Sequence, residues 1–253
     1  MTAIFKAAAG AAMLAAAGAT AQAQAQAKPE AQTETLRFEL QFGGVLAGHM
    51  NLSIDRDGPR YEALAQGRPA DWLSTLFSAR LSARGAGEAG GDALRPERFE
   101  TRVRFGDDDQ RVAVRWGAGG APEQVEADPP FRPKPWAIDP ADQTGAADPL
   151  GAAVRWISAR APEALCDETL DLFDGRRRSR VTLGAPVATE NGAGWRCSGD
   201  WRRVAGWKPE AMQADPTPIR VAFSAGADGL ARLSRLEVVT RWGTGVARRL
   251  PAE

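Results

Sequence analysis

Apolar and polar residues alternate strictly along much of the chain. Leu36, Phe38, Leu40 and Phe42 alternate with Arg37, Glu39 and Gln41. Met50, Leu52 and Ile54 alternate with Asn51, Ser53 and Asp55. Phe99, Val103 and Phe105 share one face, with Glu100, Arg102 and Arg104 on the other. Val112, Val114 and Trp116 repeat the pattern, as do Ile219, Val221 and Phe223, and then Leu236, Val238 and Trp242. A period of two with one charged side is the pattern of half-buried antiparallel strands. Turn residues separate the runs: Gly43-Gly44, Asp57-Gly58, Gly117 to Gly120 and Asp228-Gly229. Strands in this order predict a mainly β protein, built as a large curved antiparallel sheet or incomplete barrel, with one or two helices packed across it.

Two segments depart from that period. Asp148 is an N-cap and Pro149 stands at the first helical position, where its missing N–H costs nothing. Leu150, Ala153, Val154 and Ile157 then make one apolar stripe. Pro162 is expected to stop this helix soon after Arg160. A shorter helix is expected over Asp71 to Phe77, and the Asp107 to Asp109 run reads as a turn. Residues 121–140 hold six prolines and read as a long ordered loop. Strands of the same kind lie on both sides of that loop, so residues 36–250 read as one β-rich domain.

The N-terminus adds a compartment. Lys6, the uncharged run Ala7 to Ala17 and the repeated small residues up to Ala25 follow the order of a cleavable signal peptide, with cleavage expected after Ala23. The run is about half of the roughly 20 apolar residues a spanning helix needs. No cysteine lies near the cleavage region to carry a lipid, since the first is Cys166. The expectation is a soluble periplasmic chain with residues 1–23 removed and residues 24–35 as a disordered tail. Lysine plus arginine equal aspartate plus glutamate, 32 each, so no net field draws in nucleic acid. In an oxidising compartment, Cys166 and Cys197, the sole cysteines, are expected to form a disulfide.

Candidate chemistry is sparse. His49 is the single histidine and has neither a second histidine nor a free thiol to complete a metal site or catalytic pair. Asp167, Glu168, Asp171 and Asp174 precede Arg176, Arg177, Arg178 and Arg180. This run reads as cross-strand ion pairing over the Gly175 turn, or as an anion site on Arg176 and Arg178, whose forks suit carboxylate and phosphate. Of the eight tryptophans, Trp116, Trp156, Trp195 and Trp242 fall at core positions. Trp72, Trp136, Trp201 and Trp207, with Phe77, are candidates to line a ligand mouth.

Several segments together resemble the bacterial family called domain of unknown function 3108, a group of exported envelope proteins. FELQFGGVLAGHMNLSI is similar to its first hairpin, LRPERFETRVR to a recurring segment and DPLGAAVRWI to its mid-chain helix. FDGRRRSRV and CSGDWRRVAGW are similar to its late strands, so the resemblance spans about residues 36–242. It implies an exported β-rich protein with no established reaction and supplies no catalytic residues to carry over; no cofactor is expected. Its pattern is similar to the half-barrels of outer-membrane lipoprotein carriers, as an analogy of fold. The leading expectation is a non-catalytic protein that holds an apolar or lipid envelope component on the concave sheet face. The alternative is an envelope-assembly or interaction protein with a filled core and no ligand pocket, its partner an envelope protein. A hydrolase on cell-wall or glycan substrate is the third reading.

Overall fold

The structure is a computed structural model that describes residues 32–76, 78–90, 93–190 and 192–251. The expected signal peptide and Phe77 lie outside the described residues. The first half of the chain forms β1 (Gln32–Phe42), β2 (Val45–Asp57), β3 (Arg60–Pro69), β4 (Ala79–Gly90), β5 (Ala93–Phe105), β6 (Asp108–Trp116) and β7 (Pro122–Asp128). The second half forms β8 (Glu168–Phe173), β9 (Arg178–Leu183), the short β10 (Val187–Ala188), β11 (Gly194–Ala205), β12 (Thr217–Ala225), β13 (Ala231–Thr240) and β14 (Gly243–Arg249). All belong to one antiparallel sheet, in the order β7-β6-β5-β4-β3-β2-β1-β14-β13-β12-β11-β9-β8, with β10 paired to β11. The two halves of the chain therefore meet where β1 pairs with β14, and β7 and β8 remain as edges.

The alternation becomes an inner and an outer face. Leu36, Phe38, Leu52, Ile54, Ala63, Ala65, Phe99, Val112 and Val114 are buried from one half, and Val181, Leu183, Ile219, Val221 and Phe223 from the other. Between them lies the helix α2 (Pro149–Ile157), which touches β3, β4, β5, β8 and β13 and so stands inside the curve of the sheet. Its buried residues include Leu150, Val154, Trp156 and Ile157, the stripe that its spacing predicts. The Asp148 side chain accepts a hydrogen bond from the Gly151 N–H at 2.8 Å, the predicted cap. Gly85 of β4 faces Leu150, where a β-carbon would come within 3.3 Å. The absence of a side chain there lets the helix lie against the sheet.

Several boundaries differ from expectation. α2 ends at Ile157 rather than near Arg160: Ser158 turns to an extended conformation and its hydroxyl donates to the Val154 carbonyl. Pro162 instead begins a short 3-10 turn, Pro162–Ala164. The helix expected over Asp71 to Phe77 is a single turn, α1 (Asp71–Ser74), with no buried residue to hold it to the sheet. The Pro-rich segment is not wholly a loop, because Pro122–Asp128 pairs with β6. Proline is tolerated there as the first residue of an edge strand. The strand β1 starts at Gln32, so residues 32–35 of the expected tail pair with β2. Asp108 and Asp109 belong to β6 rather than to a turn. Trp242 is not in the core: β13 stops at Thr240, and Trp242 stands in the turn, 72% exposed.

Cys166 and Cys197 form a disulfide, with Cα atoms 6.3 Å apart. The bond joins the chain just before β8 to β11, across the intervening β9, with Cys197 fully buried. The intact mass should be two hydrogens below that of the reduced chain, and alkylation without reductant should label neither cysteine. Labelling of both in the native protein would count against the bond.

Candidate functional site

The inner face is covered unevenly, and this locates the candidate site. α2 lies toward one end of the sheet, where Arg56 donates to Ser158 at 2.8 Å and Tyr61 donates to Asp148 at 3.2 Å. Toward the other end, at the β1–β2 and β5–β6 turns, the same strands run out from beneath the helix. Along β1, exposure rises from 2% at Phe38 to 45% at Phe42. Along β5 it rises from 5% at Phe99 to 55% at Phe105, with Val103 exposed between them. Val45 and Leu81 complete the strip: Val45 pairs with Phe42, and Leu81 with Val103. The Phe42 ring lies over Gly243 and Gly245 of β14, which have no side chains to displace it. Exposed apolar residues thus fall in two groups on the face whose continuation forms the core: Phe42 and Val45 on β1 and β2, and Leu81, Val103 and Phe105 on β4 and β5, with β3 between. Clustered exposed apolar residues mark an interaction site more often than apolar residues scattered singly do.

The residues singled out from the sequence fall in three places. Trp201 and Trp207 meet edge to face, 5.6 Å between centroids. The Arg177 guanidinium covers Trp207 at 4.2 Å, and Arg203 lies 5.0 Å from the Trp201 ring. These rings are already covered by cations. Trp136 sits in the loop after β7 beneath Lys134. Trp72 belongs to α1, where its indole N–H donates to the Leu46 carbonyl. The expected ligand mouth is therefore not assembled as one group of tryptophans.

The two candidate anion residues are also engaged. Arg178 pairs with Asp171, which Arg180 grips as well, and the two guanidiniums, Arg180 first, hold that carboxyl below its ordinary range. Arg176 lies over the Phe131 ring. The ion-pair reading of this segment is the one the geometry follows at Asp171. Glu168 instead turns inward to accept from Arg155 and Trp156, and Asp174 accepts the Arg176 and Arg177 backbone N–H groups. His49 lies on the outer face, opposite Arg68 of β3 and Glu39 of β1. Among the described residues, no group of three or more His, Cys, Asp or Glu is placed to hold a metal ion.

The strip itself was missed in the sequence. Phe42, Val103 and Phe105 fall on the apolar face of half-buried strands by parity, and Val45 and Leu81 join no such run. Their exposure depends on how far α2 reaches along the sheet, which parity does not record.

The fold and the open strip define a class: a mainly β, barrel-like protein whose sheet is not closed and whose interior is partly filled by a helix. Among solved structures, the chain is similar to a β-barrel-like protein of domain of unknown function DUF1849 from Brucella abortus. That likeness covers 85% of this chain and 95% of the other, at 12% identity and a TM-score of 0.45. No family model matches the chain, and no curated protein does. No helix among the described residues is long and apolar enough to cross a membrane.

Proposed function

We propose that this chain is an exported, non-catalytic binding protein that holds the apolar part of an envelope lipid on the uncovered end of its inner sheet face. The observation that carries this reading is the rise in exposure along β1 and β5, from buried core to open apolar strip. The helix-covered end is filled by α2 and offers no room for the same role. The order of the N-terminal signal supports a periplasmic location, and the order of the motifs supports membership of the 3108 family.

Native mass spectrometry of protein purified from the periplasm is the direct test, with a bound lipid as the expected result. The apolar dye N-phenyl-1-naphthylamine should also brighten on binding. Phe42→Ser together with Phe105→Ser should weaken that signal about tenfold or more, since each change removes a large apolar contact at an already exposed position. A bare mass together with dye binding unaffected by the double change would overturn the reading.

A further inference from the structure

We propose that the outer face of β1 to β5 is a second binding site, for an extended ligand carrying two or more phosphate or carboxylate groups. The site is a groove of about 910 Å³ that runs over these five strands. That volume lies at the upper end of the roughly 300–1,000 Å³ typical of small-molecule sites. Its lining includes Arg37, Arg68, Arg80, Arg102, Arg104 and His49, against one carboxylate, Asp71.

Cross-strand register explains how the arginines gather. Arg80 of β4 pairs directly with Arg104 of β5. Gly67 pairs with Leu81, so Arg68 of β3 comes next to Arg80 on the other side. Three arginines therefore stand in one row on consecutive strands. Arg37 and Arg102 belong to the next row, with Asn51, Gln66 and Ser82 between them. Like charges set directly opposite each other on a sheet are unfavourable. Here they are only partly relieved: Asp109 accepts from both Arg102 and Arg104, and Asp71 from Arg68. Among the described residues no carboxylate pairs with Arg80. An oxyanion between Arg80 and its neighbours would supply the missing counter-charge, and guanidinium forks suit both phosphate and carboxylate.

The adjacent groove on the same face shows that this imbalance is local. It is of similar size, about 840 Å³, and also rich in arginine. There, however, Arg84, Arg98, Arg111 and Arg115 face Asp55, Glu62, Glu97, Glu100 and Glu126. Glu100 takes both forks of Arg111, and Glu62 takes Arg98. Carboxylates outnumber arginines by one in that groove, whereas the first groove has a cationic surplus. The row of Arg68, Arg80 and Arg104 spans about 10 Å, two strand spacings, and Arg102 stands in the next row, so a ligand that satisfies these cations needs more than one anionic group.

The test is isothermal titration of the purified protein with inorganic pyrophosphate and with tetragalacturonate, at low and at physiological salt. At least one should bind with one site per chain and weaken as salt rises. The pyrophosphate arm reports a phosphate ligand and the tetragalacturonate arm a carboxylate one. Arg80→Ser and Arg68→Ser should each lower affinity about tenfold, the value of one charge-assisted contact. Arg115→Ser, in the adjacent groove, should leave it unchanged. All three positions are on the outer surface, and far-UV circular dichroism should show the same fold for each variant. The proposal is overturned if neither probe binds at low salt, or if Arg115→Ser weakens binding as much as Arg80→Ser. The apolar dye reports on the opposite face of the sheet, so failure here leaves the lipid reading standing, and the reverse also holds.

Discussion

Replacing Asp148 with alanine should cost about 2–4 kcal/mol at pH 5, from the lost cap and two buried donors left without an acceptor. The same change should cost much less at pH 8. Asp148 is fully buried beneath α2, where it receives the Gly151 N–H and the Tyr61 hydroxyl. Burial, the largest influence, pushes its carboxyl up from the ordinary 3.8 to about 6, against the opposing effect of those hydrogen bonds. Between the two values the folded chain holds a proton that the unfolded chain has released. Stability from this group is therefore complete below about pH 4 and is lost as pH rises through about 6. The loss amounts to about 3 kcal/mol. Asp148→Asn keeps an oxygen for Gly151 and has nothing to titrate. Its stability should stay nearly flat from pH 4 to pH 8 and exceed that of the natural chain at the upper end. Urea unfolding at several pH values measures all three proteins. Parallel curves for the natural chain and Asp148→Asn would show that Asp148 is not the titrating group.

Gly175→Val should destabilise by about 2–6 kcal/mol, combining backbone strain with overpacking. Gly175 turns the chain between β8 and β9 at a φ of +92°, where a β-branched residue is strained. A β-carbon there would also come within 2.5 Å of Val112 and 3.0 Å of Val114 on the inner face of β6. The glycine thus lets the β8–β9 hairpin seat against the opposite end of the sheet, narrowing the gap between the two edges. Thermal unfolding should show a Tm well below that of the natural chain. An unchanged Tm would mean that the hairpin does not pack on β6 in solution. Gly229→Ala makes a useful comparison, because its φ is also positive but nothing lies within 4 Å of the added carbon. It carries the strain alone and should cost less.

Much of the sheet was legible because a pleated strand writes its two faces into the sequence. The runs around Phe38, Leu52, Phe99, Val114 and Val221 needed nothing more than their period. Asp148-Pro149 was legible for a different reason, since capping is local chemistry. The strand at Pro122–Asp128 was hidden by its prolines, because an edge strand needs partners on one side only. Trp242 was misplaced because it continued a parity that ended with β13. The candidate sites were the least legible part. Arg68, Arg80 and Arg104 are separated by a helix turn and a hairpin, and only strand pairing sets them in one row. The open strip at Phe42 and Phe105 required knowing where α2 stops.

The pairing of β1 with β14 has a kinetic consequence. Phe38 lies opposite Arg249, so β1 waits for a partner more than 200 residues further along the chain before its second edge is filled. Contacts this distant in sequence slow folding. A chain that emerges N-terminus first exposes β1 as an unpaired edge throughout, a ready template for wrong partners. Truncation within β14 should therefore shift the outcome from slow folding to aggregation, even though β14 contributes few of the buried side chains.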